Sequence, residues 1–333
     1  MNFLNLATFP KAIPAKPMGY YAHIITLRVT DSYALFQTDG ELNTARVQAG
    51  EKDTAIVTRL TMFKRKQTTP ERLTGRQLLR RHGLISQDMG GSKATEGSDD
   101  LPICDYNVQF CTQCPDCISY GFAIGDSGSE KSKVITDTAY SLTTYGDSHE
   151  TFTLNAPYEE GTMSREGVVT SRINEQDHVR PQVIFPSVVT TRDLTHNLFL
   201  YTLNNILRTR RYGAQTTRTG TMRNHIVGIA LTDGEIFSNL KFTQRLHDAL
   251  LAKQAIKPPD PIDLTTAKET AAALLPDLLK EDGVTATLLN GDALESTLQE
   301  ITTTAAAEDS LKALLTNSFA DSQGYHTAWL KKK

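Results

Sequence analysis

The apolar positions of this chain fall into short runs separated by polar, glycine-bearing stretches. "YAHIITLRVTDSYALF" (21–36) is dense in β-branched and aromatic residues and predicts one or two strands. Residues 37–58 read as loop, with Gly40, Gly50 and a charged "GEKDT". In "TTPERLTGRQLLRRHG", Pro70 suits a first helical turn, Thr68 and Glu71 have capping-box spacing, and Gly83 can end the helix. Together they predict a helix over 70–82. "KVITDTAYSLTT" (133–144) predicts a strand. So does "QVIFPSVVTT" (182–191), where Pro186 marks an edge or a bulge. In "DLTHNLFLYTLNNILRTRRYG", Phe199, Leu200, Leu203, Ile206 and Leu207 form a helical stripe. Asp193 or Thr195 can cap its start and Gly213 its end. "GTMRNHIVGIALTDG" (220–234) is a further strand, and from residue 238 the pattern becomes short Ala/Leu-rich helices with "KPPDPID" (257–263) as a linker.

The order is strand, helix, insertion, strand, insertion, strand, helix, strand. That predicts an α+β fold: a ferredoxin-like βαββαβ core, the layout of RRM domains, with its insertions emerging from the middle. Residues 1–85 carry the first part of the core, 86–131 a cysteine-bearing insertion and 132–144 a core strand. Residues 145–180 form a polar second insertion, 181–235 complete the core, and 236–333 form a helical region.

All four cysteines of the 333 residues lie between Cys104 and Cys117, in "CDYNVQFCTQCPDC". Two disulfides would strain such short loops. Cys104, Cys111, Cys114 and Cys117 have the spacing of a structural Zn²⁺ knuckle, in which four thiolates close the tetrahedron and leave no catalytic position. Four reduced thiols, or a redox C-x-x-C, are the competing readings. A metal would fold an insertion too small and acidic to fold alone.

The net charge of −3 conceals a segregation. Residues 58–82 hold eight Lys/Arg and one acid, whereas 86–164 hold thirteen acids and three bases. Arg72, Arg76 and Arg80 recur every fourth residue on one helix face, preceded by Lys64, Arg65 and Lys66. Such a stripe can track a phosphate backbone, against the plain alternative of a solvated face. A second cluster follows the second helix: Arg208, Arg210, Arg211, Arg218 and Arg223, interleaved with Gly213, Gly220 and small hydroxyl residues whose backbone N–H groups can also contact phosphate. Phe63 and Tyr212 are the nearby aromatics. There is no Walker loop, GxGxxG or GxSxG, and no aromatic RNP signature, so RNA would not be bound as in a typical RRM. No run approaches the ~18 apolar residues of a membrane span, and no basic segment followed by an apolar run opens the chain. A cytoplasmic location without membrane contact is expected.

These segments resemble a known family. "GEKDTAIVTRL" and "TPERLTGRQLLRRHGL" resemble the loop and first helix with which CRISPR backbone subunits hold guide RNA. "CTQCPDCISYGFAIG" is similar to the cysteine-rich stretch of their type III relatives, "VTSRINEQDHVRP" to their polar thumb, and "RRYGAQTTRTGTMRNHIVGI" to their Gly/Arg loop. The order of the four segments points to the subtype I-D backbone protein, the Csc-two branch of the Cas-seven family. The resemblance implies copies that polymerise along one CRISPR RNA beside other effector subunits and present the guide for pairing with target nucleic acid. RNA would run along Arg59, Lys64, Arg65, Lys66, Arg72, Arg76, Arg80, Arg172, Arg210, Arg211, Arg218 and Arg223. Asp53 falls where type III relatives place an aspartate that cuts target RNA, although the Asn–Pro that follows theirs is Thr54–Ala55 here. The expected role is a structural backbone without enzymatic activity. The alternatives are RNA cleavage through Asp53, a stand-alone zinc-knuckle RNA-processing enzyme, and a DNA-binding regulator.

Overall fold

The computed structural model describes residues 8–86, 101–125, 128–154, 164–165, 168–169 and 174–331. In chain order, β1 (Tyr21–Thr30) is followed by β2 (Thr44–Gln48), β3 (Ile56–Met62) and α1 (Lys64–Arg81). The cysteine insertion carries α2 (Pro115–Tyr120), and β4 (Val134–Ile135), β5 (Ala139–Tyr140), β6 (His149–Leu154) and β7 (Asn174–Val179) come next. Then come β8 (Ile184–Arg192), α3 (His196–Arg208), β9 (Met222–Thr232), α4 (Asn239–Ala252) and α5 (Leu264–Glu281). β10 (Ala286–Leu289), α6 (Gly291–Ala306) and α7 (Glu308–Tyr325) follow, and a π-helical turn, His326–Leu330, ends the described chain.

The central sheet is antiparallel in the order β10–β9–β1–β8–β4. β1 lies at its middle, with Ile24 opposite Val189 on one side and Ile229 on the other. Nearly every residue of β1 is buried, not every second one. The reason is that both faces of the sheet are covered. On one face Ala22, Ile24, Val189 and Ile229 pack with Leu79 of α1, Leu198 and Leu203 of α3, and Leu315 of α7. On the other, Ile25, Leu27, Val29 and Val227 pack with Phe242, Leu246 and Leu250 of α4 and Leu275 and Leu278 of α5. Of the C-terminal region, α4 and α5 therefore form a second layer over the sheet while α6 and α7 join α1 and α3 on the first face, and the region is not wholly helical, because β10 pairs with β9 at the sheet edge.

Several elements differ from expectation. The first helix starts at Lys64, not 70, and Pro70 lies inside it. The Thr68/Glu71 capping box does not form, because the Thr68 hydroxyl donates to the Lys64 carbonyl and Glu71 is drawn into the interior by Arg28. Residues 37–58 are not all loop: β2 pairs with β3. Residues 133–144 divide between two sheets, β4 joining β8 and β5 joining β3. Pro186 sits opposite Leu27, beyond the two residues of β8 that pair with β4, so its missing N–H faces no second strand. Thr195 caps α3 and accepts from the Leu198 N–H, but the helix ends at Arg208, before Gly213. Among the described residues of the second insertion, β6 pairs with β7 and Ser164–Arg165 with Val168–Val169. No helix among the described residues is long and apolar enough to cross a membrane.

Candidate nucleic-acid interface

The two basic clusters meet in space. A groove of about 580 Å³ runs between the N-terminal half of α1 and the segment after α3. Arg65 and Lys66 lie along one wall and Arg210 and Arg211 along the other, with Thr69, Thr74 and Thr216 supplying hydroxyls between them, while the hydroxyl of the buried Thr209 bonds to Thr74 and the Asn205 carbonyl. Among the described residues no carboxylate lies within ion-pair distance of these four cations. Burial first, and then the adjacent Arg65 guanidinium, lower the pKa of the Lys66 ammonium, as expected where positive charge is gathered without a counter-ion. Gly213 shapes the second wall: it holds φ +87°, and a Cβ there would meet the Leu35 carbonyl oxygen at 2.4 Å.

That wall is held to α1 from below. Arg28 of β1 donates to Glu71 of α1 at 2.7 Å, and both side chains are fully buried. Tyr212 donates to the same carboxylate oxygen at 3.1 Å, and Asn224 of β9 bonds to both Arg28 and Tyr212. Four elements distant in sequence thereby fix Arg210 and Arg211 against Arg65 and Lys66.

Three of the arginines assigned to the phosphate path are used differently. Arg76 is 0% exposed. It donates to Asp116 at 2.7 Å and to the Cys104 sulfur at 3.2 Å. Arg72 makes a bidentate pair with Asp116, 2.9 Å for each bond, and donates to the Gly121 carbonyl. Two consecutive turns of α1 thus grip the cysteine insertion and offer little to a phosphate. Arg59 is buried too, donating to the carbonyls of Ser141, Leu142 and Ala49. The other assignments are dispersed. Lys64 is exposed and donates to the Val134 carbonyl. Arg80 is half-buried beyond the last α1 residue of the groove wall, Gln77. Arg218 is exposed and bonds to Gln215. Arg223 is 60% exposed and pairs with Asp31. Arg172 lies outside the described residues.

The four cysteines converge as their spacing predicts. Their sulfurs all lie within 4.8 Å of one another, and Cys104, Cys114 and Cys117 are buried. The Cys104 sulfur is 3.8 Å from that of Cys114 and 3.6 Å from that of Cys117, and Cys111 is 4.0 Å from Cys117. A tetrahedron with Zn–S bonds near 2.3 Å has edges of about 3.8 Å, so the donor set and its size are compatible with zinc.

Asp53 is not part of the groove wall. Its loop packs on α4, where the Asp248 carboxylate accepts from the N–H groups of Glu51, Lys52 and Asp53 at 2.9, 2.8 and 3.2 Å. Gly50 is required for this approach, since a Cβ would fall 1.8 Å from Asp248 Oδ1. The Asp53 carboxylate accepts from the Ala55 N–H and meets His247 Nε2 at 3.2 Å. These two bonds, Ala55 first, hold it below the usual carboxylate range.

Several partners escaped the sequence reading. Asp116 was visible inside "CPDC", and the opposite charge excess of the insertion and the first helix was a signal that they pair. Tyr106 and Asn107, which line the groove from the cysteine insertion, carried no local signal.

The fold and the site define a mixed α+β protein with a basic groove that no carboxylate among the described residues compensates. The chain belongs to the Csc2 family of CRISPR proteins: the family model "Csc2 Crispr" matches residues 8–315. Among solved structures the chain is similar to the crystal structure of Thermofilum pendens Csc2, with a TM-score of 0.58 and 15% identity over 98% of this chain and 94% of that one. A chain of a structure described as "CRISPR RNA-guided surveillance complex, pre-nicking" is similar at a TM-score of 0.47 and 11% identity, covering 78% of this chain and 89% of that one. No curated protein matches the sequence.

Proposed function

We propose that this chain is a CRISPR-RNA-binding backbone subunit of a subtype I-D surveillance (Cascade) complex, polymerising along the guide and presenting it for target pairing. The observation that carries the proposal is the meeting of Arg65, Lys66, Arg210 and Arg211 on one groove without acidic partners among the described residues, in a member of the Csc2 family. Hydroxyl and cationic donors of this kind position a phosphate backbone without reading bases, and base pairing by the guide then supplies specificity.

The core is of the ferredoxin-like, RRM-like kind. The strand order β9–β1–β8–β4, with α1 and α3 on one face, supports this. α4 and α5 cover the face on which an RRM stacks bases, which accounts for the missing RNP signature. The four cysteines hold one structural Zn²⁺. Burial pushes the Cys114 thiol up, so the free cluster disfavours four thiolates, and the ion would supply the compensating positive charge. The β6–β7 ribbon reaches a neighbouring copy on the RNA. Asp53 serves the contact with α4 and not catalysis, a reading supported by its bonds to Ala55 and His247.

The test is co-expression with a guide RNA, followed by size exclusion and analysis of bound nucleic acid. Long oligomers that collapse on ribonuclease treatment are expected. A monomer that retains no RNA overturns the assignment.

A further inference from the structure

We propose that the groove takes an unpaired nucleotide whole, base as well as phosphate, with Tyr106 of the cysteine insertion as the stacking surface; the inference rests on the RNA-binding reading above. Four cations and a row of hydroxyls would suffice for a phosphate. The groove has more: Tyr106, Pro70 and Leu73 also line it, and Leu73 is 38% exposed although it lies on a helix with a buried face available. A site that combines an aromatic ring, an apolar floor and cations suits a nucleotide of single-stranded RNA, because every base has a π-face. Its volume of about 580 Å³ is within the range of small-ligand sites.

Tyr106 is held for this task. It sits at the tip of a turn closed by the Asp105 N–H on the Gln109 carbonyl at 2.7 Å and the Gln109 N–H on the Asp105 carbonyl at 2.9 Å. The turn lies between Cys104 and Cys111, and the Cys111 N–H donates to the Cys104 sulfur at 3.3 Å. The Arg72 guanidinium lies 5.0 Å from the ring centroid, Phe110 meets the ring edge-on at 6.3 Å, and the hydroxyl is 3.4 Å from that of Thr69. A ring fixed this way loses little freedom when a base is laid on it. The cysteine cluster is thus more than a staple, since it sets one wall of the RNA site.

The experiment measures the affinity of the purified full-length chain for a single-stranded RNA and for the same RNA carrying consecutive abasic sites, across a salt series. Tyr106→Ala should weaken binding to intact RNA roughly 5- to 100-fold, with the slope of log affinity against log salt unchanged. Tyr106→Phe, which keeps the ring, should bind within about twofold of the natural chain. The natural chain should lose affinity by the same factor, roughly 5- to 100-fold, when intact RNA is replaced by abasic RNA, a comparison that uses the natural chain alone and so holds even if the alanine variant folds poorly. Equal affinity of the natural chain for intact and abasic RNA, with Arg211→Gln still flattening the slope, overturns the stacking site and leaves the RNA-binding reading standing. No RNA binding by the natural chain overturns both.

Discussion

Nη1 of Arg76 donates to the Asp116 carboxylate at 2.7 Å, and neither side chain touches solvent. Arg72 shares that carboxylate, so one acid pairs with two guanidinium groups and joins α1 to the cysteine insertion. Asp116→Asn would leave both arginines without their counter-charge. It should cost about 3–5 kcal/mol, the range for breaking one half of a buried pair. Denaturant unfolding of the variant beside the natural chain measures this, and an unchanged midpoint would show that the pair is dispensable.

Metal analysis should find about one Zn²⁺ per chain. Chelation should lower the thermal midpoint, and Cys114→Ser should lower stability more than it lowers RNA affinity in the protein that remains folded. A zinc-free chain with the same midpoint would be evidence against a structural ion.

Within the basic residues, salt dependence should separate ligands from struts. Arg65→Gln and Arg211→Gln should each flatten the log–log salt slope for single-stranded RNA by roughly 0.7. Arg59→Gln should leave the slope as it is and lower stability instead, since its guanidinium serves three buried carbonyls. The reverse pattern would move the RNA path away from the groove.

His23 gives the fold an acid-sensitive point. Its ring lies inside the sheet between Thr190 and Thr232, at 2.8 and 2.9 Å. Burial pushes its pKa down from 6.5 to about 4, against the smaller opposing pull of the Gly234 carbonyl. The fold therefore holds the neutral ring. The resulting stability is fully present above pH 6.5 and is lost as pH falls towards about 4, to the extent of roughly 3 kcal/mol. Unfolding free energies between pH 7 and 4 should show this decline, and it should be smaller in His23→Gln. Parallel curves for the two would assign the acid sensitivity elsewhere.

Complementary single-stranded RNA incubated with the assembled complex and Mg²⁺ should remain intact. The Asp53 carboxylate is already bonded to Ala55 and His247, and its loop is clasped by Asp248. Regularly spaced cuts that vanish in Asp53→Ala would make the backbone a ribonuclease.

The chain's local chemistry determined much of this by itself. Spacing alone predicted the cysteine cluster, because four thiols within 14 residues have few other ways to be arranged. The β-branched run of β1 and the stripe of α3 were legible because backbone preference and burial period act over a few residues. What charge meant was not legible. Arg65 and Arg76 look alike in the sequence, yet one lines an open groove and the other is buried against Asp116, forty positions away. A charge takes its role from the dielectric and the partners around it, and only the tertiary structure sets those. The same holds for Tyr106, carried into the groove by the insertion, and for α4 and α5. Their local helical pattern could be read, but not that they would cover the sheet face opposite α1 and α3.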